Sequence, residues 1–350
     1  MVAEMAEQPD VLARVIARAP ADTQAVRALV PRPLAGVVFL ARGSSDNAAV
    51  FGRYLAELRA GRPAGLAAPS LYTRYHATVD WRGYLVVALS QSGATPEIIS
   101  TCQAMRAGGA VVLGITNEPD SPLADAVDLL LSTDAGPERA VPATKTVTAQ
   151  LAVLVTVTSA LRAGAAAAAP SPAKTPGAAG TPGAAAGTQG TGTLDGLPGA
   201  VAGVLGDPGP AERLADRWRG LDRLVVAGRG LAYAAALETA LKVKETTGIL
   251  AEGISTADLL HGPIAAVYAG APVLLVDGGG PADTDLDELR ALLASRRAHA
   301  ASLPVPPGLP EAVHVIAAIT RGQQLAYELA RARHVNPDAP AHLSKVTATT

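Results

Sequence analysis

One pattern of strand, loop and helix occurs twice in this chain at a constant spacing, and that repeat restricts the fold more than any other feature. Ala41-Arg42-Gly43 follows the apolar run Val37-Val38-Phe39-Leu40, and Gly228-Arg229-Gly230 follows Leu224-Val225-Val226. Gly43 to Gly230 is 187 residues, and Ser90 to Asp277, each closing another apolar run, is also 187. Apolar strands alternating with helices predict an α/β protein of two tandem domains, each a doubly wound parallel sheet flanked by helices. Residues 164–200 are nearly all Ala, Gly, Pro, Thr and Ser, with almost nothing to bury, and predict a disordered linker. The expected organisation is a first domain over 1–163, the linker over 164–200 and a second domain over 201–350.

Within the first half, strands are expected at 37–40, 84–89, 111–115 and 129–131. Helices are expected at about 46–60, 96–107 and 144–162, with one or two short helices over Asp10–Leu29. The net charge of −2 and an aromatic content of 3% give no reason to expect nucleic acid or an anionic membrane as partner. The single cysteine, Cys102, excludes a disulfide framework. The first residues lack the order of a signal peptide, and the apolar run Leu151–Leu161 is too short to span a bilayer. A cytoplasmic protein is the expectation.

Chemistry enters at Ser90-Gln91-Ser92-Gly93-Ala94-Thr95, directly after Leu85-Val86-Val87-Ala88-Leu89 and just before a helix opening with Pro96 and Glu97. Hydroxyls, loop N–H groups and a helix N-terminus converge there as an anion site. The spacing and lysine of a Walker loop are missing, so a small phosphate ester suits the loop better than a nucleotide triphosphate with magnesium. The loop also reads as ordinary structure, with Thr95 a helix N-cap and Ser90 and Ser92 loop polars. Taken alone, it leaves both readings open.

The ordered set of motifs resembles the sugar isomerase (SIS) family, and within it the isomerase half of glutamine–fructose-6-phosphate aminotransferase, which carries two such domains in tandem. The matching residues are Gly43-Ser44-Ser45, the 90–95 loop, Glu138 with Ala143-Thr144-Lys145, Leu237-Glu238-x-Ala240-Leu241-Lys242-x-Lys244-Glu245, His261-Gly262-Pro263 and Leu343-Ser344-Lys345-Val346-Thr347. The resemblance implies that Ser45, Ser90, Gln91, Ser92 and Thr95 hold a sugar phosphate, with Ser44 and Glu138 as further substrate contacts. It implies that Glu245 moves a proton between C1 and C2, with Lys242 beside it. His261 would assist ring opening from the neighbouring subunit of a homodimer with a shared active site. Lys345 would contact the carbonyl carbon or form a Schiff base with it. No cofactor and no metal are implied. Two departures stand out. Residue 2 is Val2 and the first strand begins near 36, so a glutaminase domain with its N-terminal cysteine is not expected, nor glutamine as nitrogen source. Ala94 and Ala143 stand where the aminotransferase carries polar residues, leaving its sugar-ring contacts unassigned.

Read physically, these residues keep alternatives. Glu238, Lys242 and Glu245 fall on one helical face, either as a solvated salt-bridge stripe or as a carboxylate tuned beside an ammonium. His261 follows two leucines, as a packed histidine would, yet Gly262-Pro263 turns it to an edge where an imidazole suits acid and base steps. Lys345 is either a solvated tail lysine or one docked by Leu343 and Val346, which suits imine chemistry. A nicotinamide site at Gly228-Arg229-Gly230 fails because Tyr233 takes the third glycine position. A sugar-phosphate sensor remains, but a DNA-binding version needs a helix-turn-helix longer than the roughly 35 residues ahead of the first strand.

Among enzymes, isomerase, deaminase and dehydratase share one first step, removal of the C2 proton from an open-chain sugar phosphate. Glucosamine-6-phosphate deaminase/isomerase is the expected activity, with dehydration of N-acetylglucosamine 6-phosphate as the alternative.

Overall fold

The computed structural model describes residues 1–166, 194–340 and 343–345. The first half runs α1 (Val2–Ala6), α2 (Gln8–Leu29), β1 (Gly36–Leu40), α3 (Ser44–Ala60), β2 (Ala64–Leu66), α4 (Ser70–Thr73), β3 (Tyr84–Leu89), α5 (Pro96–Ala107), β4 (Val111–Thr116), α6 (Leu123–Ala126), β5 (Leu129–Ser132) and α7 (Lys145–Ala166). The second runs α8 (Leu197–Gly206), α9 (Gly209–Trp218), β6 (Arg223–Gly228), α10 (Ala232–Thr247), β7 (Leu250–Ser255), α11 (Thr256–Leu260), β8 (Pro272–Val276), α12 (Thr284–Ser295), β9 (His299–Ser302) and α13 (Glu311–Ala332).

Both sheets are parallel, with strand orders β2-β1-β3-β4-β5 and β7-β6-β8-β9. A shift of 187 residues carries β1, β2, β3 and β4 onto β6, β7, β8 and β9 in the same spatial order, so the repeat seen in the sequence is a repeat of topology. Val38 lies between Gly65 and Val86, and Val226 lies between Gly253 and Leu274. β1 and β3 are buried almost throughout, as strands covered on both faces must be. That burial explains their unbroken apolar runs.

One apolar core joins the halves. Phe39, Phe51 and Leu154 from the first half share a cluster with Val226, Ala235 and Ile316 from the second. Separate clusters cover the outer faces, built on Val86, Ile98 and Met105 in one half and Ala227, Leu289 and Leu293 in the other. At the centre, α10 packs on both α13 and α3. Its Ala234, Ala235, Ala236 and Ala240 are almost wholly buried, because small side chains let it approach its neighbours. A Cβ on Gly322 of α13 would sit 2.1 Å from Thr239 Oγ1, so only glycine permits that crossing.

The structure departs from the sequence reading at three places. Asp10–Leu29 is part of one 22-residue helix containing Pro20, held straight through by buried Val11, Leu12, Val15 and Val26. β2 was not expected, since Ala64-Gly65-Leu66 is short and has no β-branched residue. The 164–200 segment lies mostly outside the described residues. At its edges, α7 continues to Ala166, and α8 begins at Leu197 and buries Leu197, Ala200 and Val201. Among the described residues no helix is long and apolar enough to cross a membrane, and no group of His, Cys, Asp or Glu could hold a metal ion.

Candidate active site

The chain leaves β1 for β2 on one side and returns to β3 on the other, which opens a crevice at the carboxyl ends of β1 and β3. A cavity of about 370 Å³ lies there. Ser44 and Ser45 reach it from the start of α3, Ser90, Gln91, Ser92 and Thr95 from the loop after β3, Glu245 from α10 of the other half, and Lys345 from the C-terminal segment. Eight of the residues singled out in the sequence thus face one space. Lys242, Glu138 and His261 do not line it.

The hydroxyl loop is fixed from behind. Thr116 Oγ1 and the Asn117 N–H both donate to the Gln91 carbonyl, and the Leu123 N–H donates to the Gly93 carbonyl at 3.0 Å. Gly93 has φ +59°, and a Cβ there would fall 1.9 Å from Ser121 Oγ. Within the loop, Gly93 N–H donates to Ser90 Oγ at 3.2 Å and Ala94 N–H to Ser92 Oγ at 3.3 Å. Thr95 does occupy the N-cap position of α5, but its side chain makes no capping hydrogen bond. Its hydroxyl is therefore free for the cavity. The N-termini of α3 and α5 converge here, adding the favourable end of two helix dipoles for an anion.

Sequence reasoning found no fixed cation near this loop; the structure supplies one. Arg42 lines the cavity, with its Nε donating to Glu97 Oε2 at 2.9 Å. The signal was present in Ala41-Arg42-Gly43, which served only as a marker of the repeat.

On α10, Glu238, Lys242 and Glu245 form a connected triad rather than a solvated stripe. Lys242 and Glu238 are almost wholly buried. The Lys242 ammonium donates to Glu245 Oε2 and stands 3.6 Å from Glu238 Oε1. Burial alone would discharge Lys242, but Glu238 and Glu245 outweigh it and hold the ammonium above its ordinary range. Burial pushes the Glu238 carboxyl up, against the opposing pull of Lys242 and of Asn47. Asn47 Nδ2 donates to Glu238 Oε2 at 2.7 Å from the first turn of α3. Lys242 therefore acts behind Glu245, which alone of the three faces the cavity.

Glu138, expected as a substrate contact, stands behind Lys345 instead. Lys345 Nζ donates to Glu138 Oε2 at 2.9 Å and to the Ala140 carbonyl at 2.8 Å. The Glu138 side chain is fully buried. It also accepts from the Thr144 N–H at 2.9 Å and from Thr146 Oγ1 at 2.7 Å. Burial raises this carboxyl, but Lys345 and the hydrogen bonds from Thr146 and Thr144 outweigh it and hold it below the ordinary carboxylate range. Neighbouring Lys145, buried as well, donates to Glu7 Oε2 at 2.6 Å. His261 ends α11 on the exposed surface, outside its own chain's cavity.

The second half shows what the repeat lost. Its equivalent loop is Asp277-Gly278-Gly279-Gly280, and the Gly278 and Gly279 N–H groups donate to Asp283 Oδ1 and Oδ2, each at 2.8 Å. A chain carboxylate takes the amides that would otherwise face an anion. Arg229, the counterpart of Arg42, is paired with Asp285 at 2.8 Å.

Comparison with known proteins shows the family and the fold. Residues 36–160 and 219–303 match the SIS domain family. The chain is 33% identical over 367 residues to the glutamine–fructose-6-phosphate aminotransferase of Aeropyrum pernix, covering 99% of this chain and 56% of that protein. It is 34% identical over 335 residues to that of Acidithiobacillus ferridurans, covering 88% and 51%. The chain thus spans little more than half the length of these curated relatives. Among solved structures, the C-terminal domain of glucosamine-fructose-6-phosphate aminotransferase from Francisella tularensis matches with a TM-score of 0.81 at 25% identity, covering 96% of this chain and 97% of that one. Glucosamine-6-phosphate deaminase from Thermotoga maritima shares the fold, with a TM-score of 0.70 at 20% identity and coverage of 96% and 99%.

Proposed function

The chain belongs to the SIS domain family, and from that membership and the cavity we propose an enzyme that moves the C2 proton of an open-chain amino-sugar phosphate. The observation that carries this reading is the position of Glu245. It faces, from one half of the molecule, the same cavity that the hydroxyl loop 90–95 faces from the other. The loop, with Ser45 and the two helix N-termini, binds the phosphate. Glu245, tethered by Lys242, takes the proton from C2 and returns it at C1. On glucosamine 6-phosphate that transfer yields an imine at C2, which one water hydrolyses to fructose 6-phosphate and ammonia. The reaction is redox-neutral and needs no cofactor.

Deamination is the direction we propose because the groups that face the cavity, the hydroxyl loop and Glu245, suffice for it with water alone. The second reading, dehydration of N-acetylglucosamine 6-phosphate, is favoured by the apolar side of the cavity. Val141, Ala143 and Leu343 line it where an acyl group would find no competing polar partner.

A homodimer completes the proposal. His261 is exposed and follows the exposed Leu260, an arrangement suited to a histidine lent to a partner's cavity for ring opening.

The deciding experiment incubates the protein with each sugar phosphate and follows ammonia and product mass. Ammonia with fructose 6-phosphate supports the deaminase. Loss of one water without ammonia assigns the dehydratase. Neither product, together with no exchange of C2–H in deuterated solvent, overturns the enzyme reading and leaves the sensor.

A further inference from the structure

The loop over 90–95 offers neutral groups to the cavity, and one cation stands at its edge. Ser90 Oγ and Ser92 Oγ each accept a loop N–H, and both hydroxyl protons stay uncommitted among the described residues. A hydroxyl can donate to a bare phosphate oxygen or accept from a protonated one, so these groups suit either ionisation state of a phosphate ester. A guanidinium has five N–H donors and no acceptor, and it keeps its charge. Arg42 supplies one here. It follows β1, and its Nε donates at 2.9 Å to Oε2 of Glu97, in the first turn of α5 just beyond Thr95. Arg42 is half-exposed, whereas Glu97 is almost buried. No other side-chain hydrogen bond of Arg42 occurs among the described residues, so Nη1 and Nη2 keep their N–H groups. Asp46, in the first turn of α3, is the other carboxylate near this charge, its carboxyl raised by burial against the pull of Arg42. Glu245 and Lys345 face the same cavity from α10 and the C-terminal segment. In the second half Arg229 pairs likewise with Asp285, but its Nη1 also donates to Ser255 Oγ at 3.2 Å. In the first half, uncommitted Nη groups and uncommitted hydroxyls stand side by side.

We propose that Arg42 makes the cavity select a doubly charged phosphate ester over a singly charged one. The proposal rests on the functional reading above, since it takes the 90–95 loop as the phosphate site. Phosphate oxygens in that loop meet the Nη edge of Arg42, where every contact is an N–H donated to an unprotonated oxygen. A P–OH turned toward that edge would set one hydrogen against another. Glu97 is a positioning residue: it orients the guanidinium, and its own charge, paired with Arg42, no longer repels the incoming anion. The hydroxyls decide where the phosphate sits, and Arg42 decides which ionisation state is held.

The test measures, by calorimetry, the binding of glucitol 6-phosphate, which has no carbonyl and cannot turn over. Its phosphate takes up a proton near pH ~6, so the dianion falls to about a tenth of the ligand between pH ~7.5 and pH ~5. Glucitol 6-sulfate carries one charge throughout and reports any change in the protein itself. Relative to the sulfate, wild-type binding of the phosphate should weaken about tenfold on acidification, following the loss of dianion. Arg42→Gln should bind the phosphate about 10–100-fold more weakly at the higher pH, with an acid dependence below about threefold. Arg42→Lys, which keeps a donor-only cation, should retain the dependence. A wild type that binds the phosphate with no acid dependence overturns the selection, as does an Arg42→Gln protein with the wild-type dependence; both leave the phosphate site in place. An Arg42→Lys protein that loses the dependence at an unchanged melting temperature overturns it as well, even where Arg42→Gln does not fold. A wild type that binds neither ester removes the functional reading, and this inference with it.

Discussion

Asn47 Nδ2 donates to Glu238 Oε2 at 2.7 Å, across 191 residues of sequence. The bond ties the first turn of α3 in one half to the centre of α10 in the other. It therefore joins the helix whose N-terminus faces the anion loop to the helix that carries Glu245. It adds a polar contact to the α3–α10 packing that joins the two sides of the cavity.

Removing that donor leaves a buried acceptor short of a partner. Asn47→Ala should cost about 1–3 kcal/mol of stability, read as a shift of the denaturation midpoint in urea. In a Glu238→Gln background the same substitution should cost less, since the acceptor is no longer charged. An equal cost in both backgrounds would show that Asn47 acts through something other than Glu238.

The phosphate loop makes a binding prediction. Thr95 has no capping bond to lose, so Thr95→Ala should leave stability nearly unchanged and still raise KM. Each hydroxyl lost from a charged oxygen, in Ser92→Ala or Thr95→Ala, should cost about 1.5–3 kcal/mol of binding. Unphosphorylated glucosamine should be a very poor substrate. Equal kcat/KM for the sugar and its 6-phosphate would disprove the anion site.

Loop shape is tested separately from loop chemistry by Gly93→Ala. The new methyl would fall 1.9 Å from Ser121 Oγ at a residue with φ +59°. The left-handed conformation alone costs about 1–2 kcal/mol for a residue with a Cβ. Substrate binding should be lost even though no hydroxyl is removed, and adding Ser121→Gly should restore part of it by clearing the clash.

Glu245→Gln should lower kcat by about 10²–10⁴ with a much smaller change in KM, because the amide keeps the shape but accepts no proton. Exchange of the C2 hydrogen with deuterated solvent should fall in parallel. Glu238→Gln, which alters only the far end of the triad, should lose less. Exchange at the wild-type rate in Glu245→Gln would remove this residue from the mechanism.

Glu138 predicts an acid dependence. Its carboxyl titrates lower when folded than the ordinary 4.5. Its contribution to stability is therefore complete above about that pH and is lost as the pH falls through the folded value. The stability gap between wild type and Glu138→Gln, measured by denaturation at a series of pH values, should be constant near neutrality and narrow below about 4.5. A gap that widened on acidification would contradict the direction of the shift.

Much of the architecture and one end of the site followed from local sequence. Unbroken apolar runs such as Leu85–Leu89 mark strands buried on both faces, and the 187-residue repeat marks two copies of one topology. Ser90–Thr95 declares a strand end, a tight loop and a helix start, and the structure has all three there, while the loop taken alone left its use as an anion site open. Ala64-Gly65-Leu66 carries no such mark, because an edge strand of three small or flexible residues is made by its neighbour and not by its own preference. The residues whose roles changed are those whose partners lie far away in the chain. Glu138 reads as a possible substrate contact until Lys345, 207 residues on, is seen to occupy its carboxylate. Arg42 becomes a wall of the cavity only because Glu97 opens the next helix over. Periodicity and spacing report what a segment does to itself. Which charge meets which is set by how the two sheets and the helices between them pack, and only the tertiary structure decided it.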